Sequence, residues 1–487
     1  MGESLPSPAS YSHRAVIARP PILPVTMSMR SGSTARSHAV ALALLSVAAA
    51  LPAAAQSNPA DSTIQRWITE RVTNGYATGI VVGRRDGGRD RIVAAGGAQR
   101  DGRPVGGESF FEIGSITKVF TNILLADMVL KGEVALDDPV QKYLPAGVTM
   151  PSRNGKAITL LDLATASSGL PSLGNNMKPA DMRNPYADYS VQQMYDFLSS
   201  HTLRRDPGER YEYSNIGMGL LGHVLGLRAG TSYDALLRER VLEPLGMRET
   251  FIAVPAAVAG RFAVPHDADL EEASPWDLPT LAGAGALRST TRDMLKFADA
   301  VTHRDRGPLA KAIAFSIEPR RPTTMPNMRI ALGWHVREAN GRTIVWHNGG
   351  TGGFRTFFGF DPATGAHAMV WSNTSNSVDD LGLHLVDSTV PRMPTPARAE
   401  ATVPVETLRG YVGSYALAPG FVIAVTEERG RLFAQPTGQP RFRLWPESPS
   451  SFSLRAVPAK VLFAADSSGV MELTLDQGGR QQKAKRQ

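Results

Sequence analysis

Directly after Gly114, apolar residues recur at helical spacing through Ile116, Phe120, Ile123, Leu124 and Met128, which predicts a buried helix beginning near Ser115. Upstream, Thr63 to Thr73 reads as a helix. The runs Thr78 to Gly83 and Arg91 to Ala95 read as strands of an antiparallel hairpin around Asp86-Gly87-Gly88. From Leu124 to about Ala300 the spacing is mostly helical, broken by Pro and Gly loops, with a further helix starting at Thr291-Arg292-Asp293. Strand patterns return in Arg329 to Trp334, Thr343 to Trp346, Phe354 to Phe360 and His367 to Trp371. The expected architecture is a sheet domain with a helical block inserted into it. Pro391 to Pro404 marks a proline-rich linker, and beyond it short alternating runs, from Gly413-Ser414-Tyr415 to Val470–Leu475, predict a small all-β barrel or sandwich.

The N-terminus is of another kind. Arg30 and Arg36 precede the apolar run Ala39 to Leu51, and Pro52-Ala53-Ala54-Ala55 supplies small residues for cleavage before Gln56. This is the pattern of a secretory signal, with Met27 or Met29 as a more ordinary start. The run is too short for a lasting span, so an exported protein, periplasmic or secreted, with no stable membrane anchor after cleavage is expected. The expected boundaries are a leader and signal over 1–55, a main domain over 56–392, a linker over 393–404 and a small β domain over 405–487. The chain has no cysteine, which excludes disulfides, thiolate metal sites and a lipidated N-terminal cysteine. With no His-Glu-x-x-His segment and no dense His/Asp cluster, no metal and no cofactor are expected. A formal charge of +7 is modest for 487 residues, and no basic block interleaved with aromatics stands out. Nucleic acid is therefore not an expected partner, and Arg480 to Gln487 reads as a solvated end.

The chemistry begins at Ser115. On a helix, positions i and i+3 share a face, so the Ser115 hydroxyl and the Lys118 amine can meet, and Lys118 alone among the lysines has a serine three residues before it. A lysine half-buried among apolar neighbours can lose its proton near neutral pH and activate the serine as a nucleophile. Unpaired N–H groups in the first turn favour an oxyanion there. Tyr213 and Asn215 stand two apart where a loop enters the apolar stretch Ile216 to Leu227. A phenol beside a lysine ammonium has a lowered pKa and qualifies as a proton shuttle, while an amide can both donate and accept. Alternatively, they are a core tyrosine beside a helix cap. In His347-Asn348-Gly349-Gly350-Thr351-Gly352-Gly353, the glycines allow a backbone to approach a ligand closely. There His347 can bind a carboxylate or assist proton transfer; the plainer reading is a glycine-rich hairpin.

Together the three segments resemble the boxes of the penicillin-recognising serine hydrolases: class C β-lactamases, related serine DD-carboxypeptidases, D-aminopeptidases and family VIII carboxylesterases. Ser115-Ile116-Thr117-Lys118 matches the first box, Tyr213-Ser214-Asn215 the second and His347-Asn348-Gly349 the third. They stand 98 and 134 residues apart, and the likeness runs from Trp67 to about Val386. It includes Gly132 to Pro139, Ser168-Gly169-Leu170-Pro171, Pro244-Leu245-Gly246-Met247 and Gly283 to Leu287. The resemblance implies an α/β (α+β) class, β-lactamase/DD-peptidase-like fold: an antiparallel sheet domain with an inserted all-helical domain, plus the small all-β C-terminal domain. It also implies an acyl-enzyme at Ser115, with Lys118 and Tyr213 moving protons. Asn215 would bond Lys118 and the substrate amide, and the oxyanion would lie between the N–H groups of Ser115 and Gly350. Asn215, His347, Asn348, Gly349 and Gly350 are the implied substrate contacts. The implied substrates are β-lactams, D-Ala-D-Ala peptides or esters, with peptidoglycan as a further partner. His347-Asn348-Gly349 departs from the Lys-Thr-Gly of class C enzymes. Because histidine is partly charged near pH 7, the attraction for a substrate carboxylate is expected to weaken as pH rises. Ala166 stands where relatives often have histidine. A carboxylesterase using the same residues and a non-catalytic cell-wall binding protein are the alternative readings; the absence of a Gly-x-Ser-x-Gly elbow speaks against an α/β-hydrolase.

Overall fold

The helix expected ahead of the first hairpin forms over Asp61–Thr73, and the hairpin after it pairs Gly79–Asp86 with Arg89–Gly96 in antiparallel register, Gly79 opposite Gly96 and Asp86 opposite Arg89. In this computed structural model residues 59–487 are described, except 87, 340, 399, 440, 456 and 458. The expected signal segment, its expected cleavage point near Ala55 and the central hairpin glycine lie outside the described residues. The main sheet has eight strands in the order Arg89–Gly96, Gly79–Asp86, His367–Ser372, Arg355–Phe360, Arg342–Gly350, His335–Ala339, Met328–Ile330 and Arg321–Pro322. Every pair is antiparallel. The first strand of the chain thus lies beside the last strand of this sheet in chain order, Ile80 opposite Ser372, and the helical residues between them are an insertion.

Strand alternation gives the sheet two buried faces. Ile80, Val82, Ile344, Phe357 and Val370 meet Ile64 and Ile68 of the first helix and Leu381 of helix Asp379–Val386. Val81, Val345, Phe358 and Trp334 point the other way, into the larger core shared with Phe120 and Phe297. Phe120 lies on Thr117–Leu130, a helix whose residues from Thr117 to Met128 are all buried. Phe297 lies on Thr291–Thr302, where Thr290 caps the helix by accepting from the Asp293 N–H.

Two details of the sheet differ from expectation. The run Arg329 to Trp334 is strand only through Ile330, because Gly333 adopts φ +72° and the chain turns there, which leaves His335–Ala339 as a separate strand. Strand Arg342–Gly350 extends beyond Trp346 and carries the whole His347-Asn348-Gly349-Gly350 segment in the sheet rather than in a hairpin loop. Gly349 is needed there: a methyl group at that position would lie 2.0 Å from the Ile113 carbonyl oxygen and 2.3 Å from Thr356 Oγ1.

After residues 388–398 and 400–404, which form no helix or strand, a short helix (Val405–Gly410) leads into eight antiparallel strands in sequential order. Tyr415 on the first pairs with Arg486 just after the last, nearly closing the sheet around Tyr415, Phe452, Phe463 and Leu473. Seven of these strands match predicted runs. The eighth, Arg480–Lys485, corrects the reading of a solvated end. It pairs with Met471–Gln477 from Glu472–Lys485 to Gln477–Arg480 and buries only Ala484, so a polar strand hides its pairing from the hydrophobic pattern.

Gly349→Ala is expected to cost about 3 kcal/mol, read from urea midpoints, because both obstructing groups belong to the packed interior. Gly410→Ala, where nothing lies within 4 Å of the added methyl, should stay within about 0.5 kcal/mol of the parent.

Candidate active site

Ser115 stands in a single 3-10 turn, Gly114–Ile116, that runs straight into helix Thr117–Leu130. The turn is pinned from both sides. Ile113 N–H donates to Leu287 O at 3.0 Å, Thr356 Oγ1 donates to Ile113 O at 3.0 Å, and Leu287 N–H donates to Thr117 Oγ1 at 3.1 Å. Gly350 at the end of its strand comes against this turn closely enough that a methyl on Gly114 would lie 2.8 Å from Gly350 N. The nucleophile candidate and the strand edge are thereby fixed to each other through backbone.

Lys118 Nζ lies 2.9 Å from Ser115 Oγ, 2.8 Å from Asn215 Oδ1 and 2.6 Å from Ala284 O. The residue is 2% exposed, and burial pushes its pKa well below the ordinary 10.5. A neutral amine has two N–H groups and one lone pair. The two carbonyl oxygens take the N–H groups, and the lone pair is left for the Ser115 O–H. Tyr213 O–H donates to Ser115 Oγ at 2.5 Å, and the Lys118 amine sits 4.7 Å from the centre of the Tyr213 ring. Tyr213 and Asn215 reach the site because Ser214 caps helix Asn215–Ala229, its Oγ accepting from Gly217 N–H at 3.0 Å and donating to Pro171 O at 2.6 Å.

The phenol differs from expectation. Its pKa is raised, chiefly by burial and further by Tyr211 and Tyr186, despite the hydrogen bond to Ser115. Tyr213 is accordingly a phenol that holds and passes a proton, not a standing phenolate.

The third segment divides between the two faces of its strand. His347, 2% exposed, points to the face of the larger core, stacks on His335 at 5.0 Å and lies 6.5 Å ring to ring from Tyr213. Burial, with His335 and Lys118 beside it, holds its pKa well below the usual 6.5, and that of His335 falls to about 4. The expected loss of attraction for a carboxylate through neutral pH therefore does not apply: His347 is already uncharged there. Asn348, one residue on, faces the opposite side and donates from Nδ2 to Asp379 Oδ2 at 2.6 Å. Its reading as a substrate contact is corrected by the period of two along the strand. Gly349 and Gly350 end at the turn that bears Ser115, and Ala166 adopts φ 50° with its carbonyl accepting from Glu212 N–H.

Residues not singled out from sequence complete the surroundings. Tyr211 hydroxyl lies 3.2 Å from His335 Nε2, while His335 Nδ1 is buried without a hydrogen-bond partner. Tyr211 stands two positions before Tyr213 in the same loop, a signal that was available. Glu112 is 2% exposed and accepts from Trp276 N–H at 2.8 Å and from Arg288 Nη2 at 3.3 Å. Nothing in the local pattern marks Trp276, 164 residues away, as its partner. Among the described residues no group of three or more His, Cys, Asp or Glu side chains is arranged to hold a metal ion.

The family model described as Beta-lactamase matches residues 64–387. The chain belongs to the β-lactamase family. It is a serine hydrolase, similar to the D-alanyl-D-alanine-carboxypeptidase/endopeptidase AmpH of Escherichia coli K12, with 28% identity over 372 residues, 70% of this chain and 93% of that protein. A Pseudomonas fluorescens β-lactamase is 25% identical over 350 residues, 64% of this chain and 92% of that one. Among solved structures, the octameric penicillin-binding protein homologue from Pyrococcus abyssi shares the fold, with a TM-score of 0.59 and 21% identity over 87% of this chain and 99% of that one. A second model, a domain of unknown function (DUF3471), covers residues 397–486 of this β-lactamase-family hydrolase.

The burial of Lys118 has a consequence for stability. Between its depressed pKa and 10.5 the unfolded chain binds a proton that the fold does not, so the Lys118 contribution to stability rises with pH across that window. Lys118→Met removes the dependence. Relative to the parent, the variant is expected to gain stability as pH falls from 9 to 6, measured by urea unfolding; parallel curves would mean that Lys118 is charged in the fold.

Proposed function

We propose that the protein is an exported acyl-serine hydrolase acting on D-Ala-D-Ala-type peptides and β-lactams. The observation that carries this reading is the Ser115 hydroxyl held at once by the buried Lys118 amine, whose pKa burial lowers, and by the Tyr213 phenol, whose pKa burial raises. In the proposed sequence, Ser115 Oγ attacks the substrate carbonyl as its proton moves to Lys118 Nζ. The new ammonium stays bonded to Asn215 Oδ1 and Ala284 O. The tetrahedral oxyanion is received by the N–H groups of Ser115 and Gly350, a role supported by the close seat of Gly350 on Gly114. As the C–N bond breaks, Tyr213 gives its proton to the leaving nitrogen and takes one back from Lys118, restoring both. Water then repeats the steps in reverse on the acyl-enzyme.

Export rests on the signal pattern of the first 55 residues. The substrate class is supported by the names of the relatives, one a carboxypeptidase/endopeptidase and another a β-lactamase. One observation favours a carboxylesterase as the second reading. With Asn348 turned to Asp379 and His347 uncharged, the third segment offers a substrate carboxylate no cation.

The deciding experiment is an intact-mass time course of the mature protein with benzylpenicillin, with Ser115→Ala as the control. A mass increase of one drug molecule on the parent alone is expected. Persistence of that adduct assigns DD-peptidase-like behaviour, transient labelling with hydrolysed drug assigns β-lactamase behaviour, and no adduct with no hydrolysis sinks the reading. In the same assay, Tyr213→Phe is expected to slow acylation about 10²–10⁴-fold without altering the fold.

A further inference from the structure

The C-terminal β domain meets the hydrolase domain at a hooked turn whose other end stands at the active-site edge. Residues 265–277 form a narrow loop, with Asp267 N–H donating to Glu271 O at 2.8 Å and Ala273 N–H to Pro265 O at 2.9 Å. Asp267 Oδ1 also accepts from the Asp269 and Glu271 N–H groups, which stiffens the tip. Asp269 at that tip is only 5% exposed, because the β domain takes up its carboxylate. Oδ1 accepts from Trp445 Nε1 at 2.8 Å and Oδ2 from Arg443 N–H at 2.9 Å. The Trp445 ring lies under two guanidinium groups, those of Arg443 and Arg455, at 3.4 and 3.1 Å from its centre. Glu271, on the outer side of the tip, pairs with Arg431 and Arg443.

The base of the hook is built into the site. His266 N–H donates to Asn373 O, and Pro265 presses on Gly353 so closely that a methyl there would lie 2.3 Å from Pro265 Cβ. Trp276 N–H is held by Glu112, three residues before Ser115, and a methyl on Gly352 would lie 2.6 Å from the Trp276 indole nitrogen. The Trp276 ring meets Tyr186 edge-on at 5.1 Å. The loop thus runs from Asp269, a carboxylate seated against the β domain, to Trp276, which is tied to Glu112 three residues before Ser115 and lies against Gly352 of the glycine-rich segment.

We infer that the C-terminal domain is a positioning element of the active site: by gripping Asp269 through Trp445 and Arg443, it sets where Trp276 stands and hence how the cleft receives a bulky substrate group. Asp269 and Trp445 are positioning residues that act through Trp276. The inference requires a serine hydrolase but not a particular substrate, so it stands or falls separately from the penicillin experiment.

The test uses the full chain with Trp445→Phe, which keeps an aromatic ring between the arginines and removes only the N–H on Asp269. Two readouts are taken: hydrogen exchange of peptides covering 266–277, and KM and kcat for p-nitrophenyl acetate against p-nitrophenyl phenylacetate. Exchange in that loop is expected to quicken about tenfold, since loss of a hydrogen bond to a charged group is worth roughly that much. The KM for the phenylacetate ester should rise about fivefold, with kcat and the acetate KM within about twofold. Unchanged exchange, or equal losses for both esters, would overturn the inference and leave Trp445 a residue of general stability. Should Trp445→Phe not fold, Glu271→Gln is expected to move the same readouts in the same direction, and no change there overturns it equally.

Discussion

The site depends on an amine whose hold on its proton is weakened by burial. Lys118 lies on a helix with no exposed face from Thr117 to Met128, and the polar groups that reach its nitrogen are a hydroxyl, an amide oxygen and a backbone carbonyl, none of them anionic. A carboxylate in any of these places would favour the ammonium form and remove the base. Apolar surroundings supply the pKa, and the carbonyls of Asn215 and Ala284 supply the direction, since they leave one lone pair and aim it at Ser115. The same apolar surroundings raise the pKa of Tyr213, so one environment makes the lysine a base and the tyrosine an acid.

What was legible in the sequence follows from locality. Ser115 and Lys118 are neighbours through helix geometry alone, and a Gly before a long apolar run discloses the helix. Tyr213 and Asn215 were readable as a pair because a cap at Ser214 fixes both. The face of Asn348 was not readable until the strand was known to continue through Gly350: in a loop its side chain is free to turn to the ligand, but in a strand it must point away from His347. The charge states of Tyr213 and His347 were hidden for a different reason. Both depend chiefly on burial, and further on neighbours that only the fold supplies, His335 beside His347 and Tyr186 beside Tyr213. Strand Arg480–Lys485 escaped notice because an edge strand with one buried side chain has no hydrophobic alternation to show.

The C-terminal domain illustrates how a polar joint can be specific without being large. Asp269 is buried where the 265–277 loop meets the C-terminal sheet, and its two oxygens are matched by one indole and one backbone donor. A buried carboxylate tolerates few alternative seats, so the joint has a defined register where an apolar patch would allow sliding. The geometry at Trp276 inherits that definition.

The order of strands in the main sheet bears on how the enzyme comes into being. Gly79–Asp86 is completed only by His367–Ser372, and the wall facing Ser115 is the strand ending at Gly350. A nascent chain that has made the Ser115 helix but not residue 372 has a nucleophile without its sheet edge and a first hairpin with one open side. Such long-range pairing makes folding slow and leaves strand edges exposed until the end. Competence for hydrolysis thus waits for the strand that ends at Ser372, about 250 residues after the nucleophile has been made.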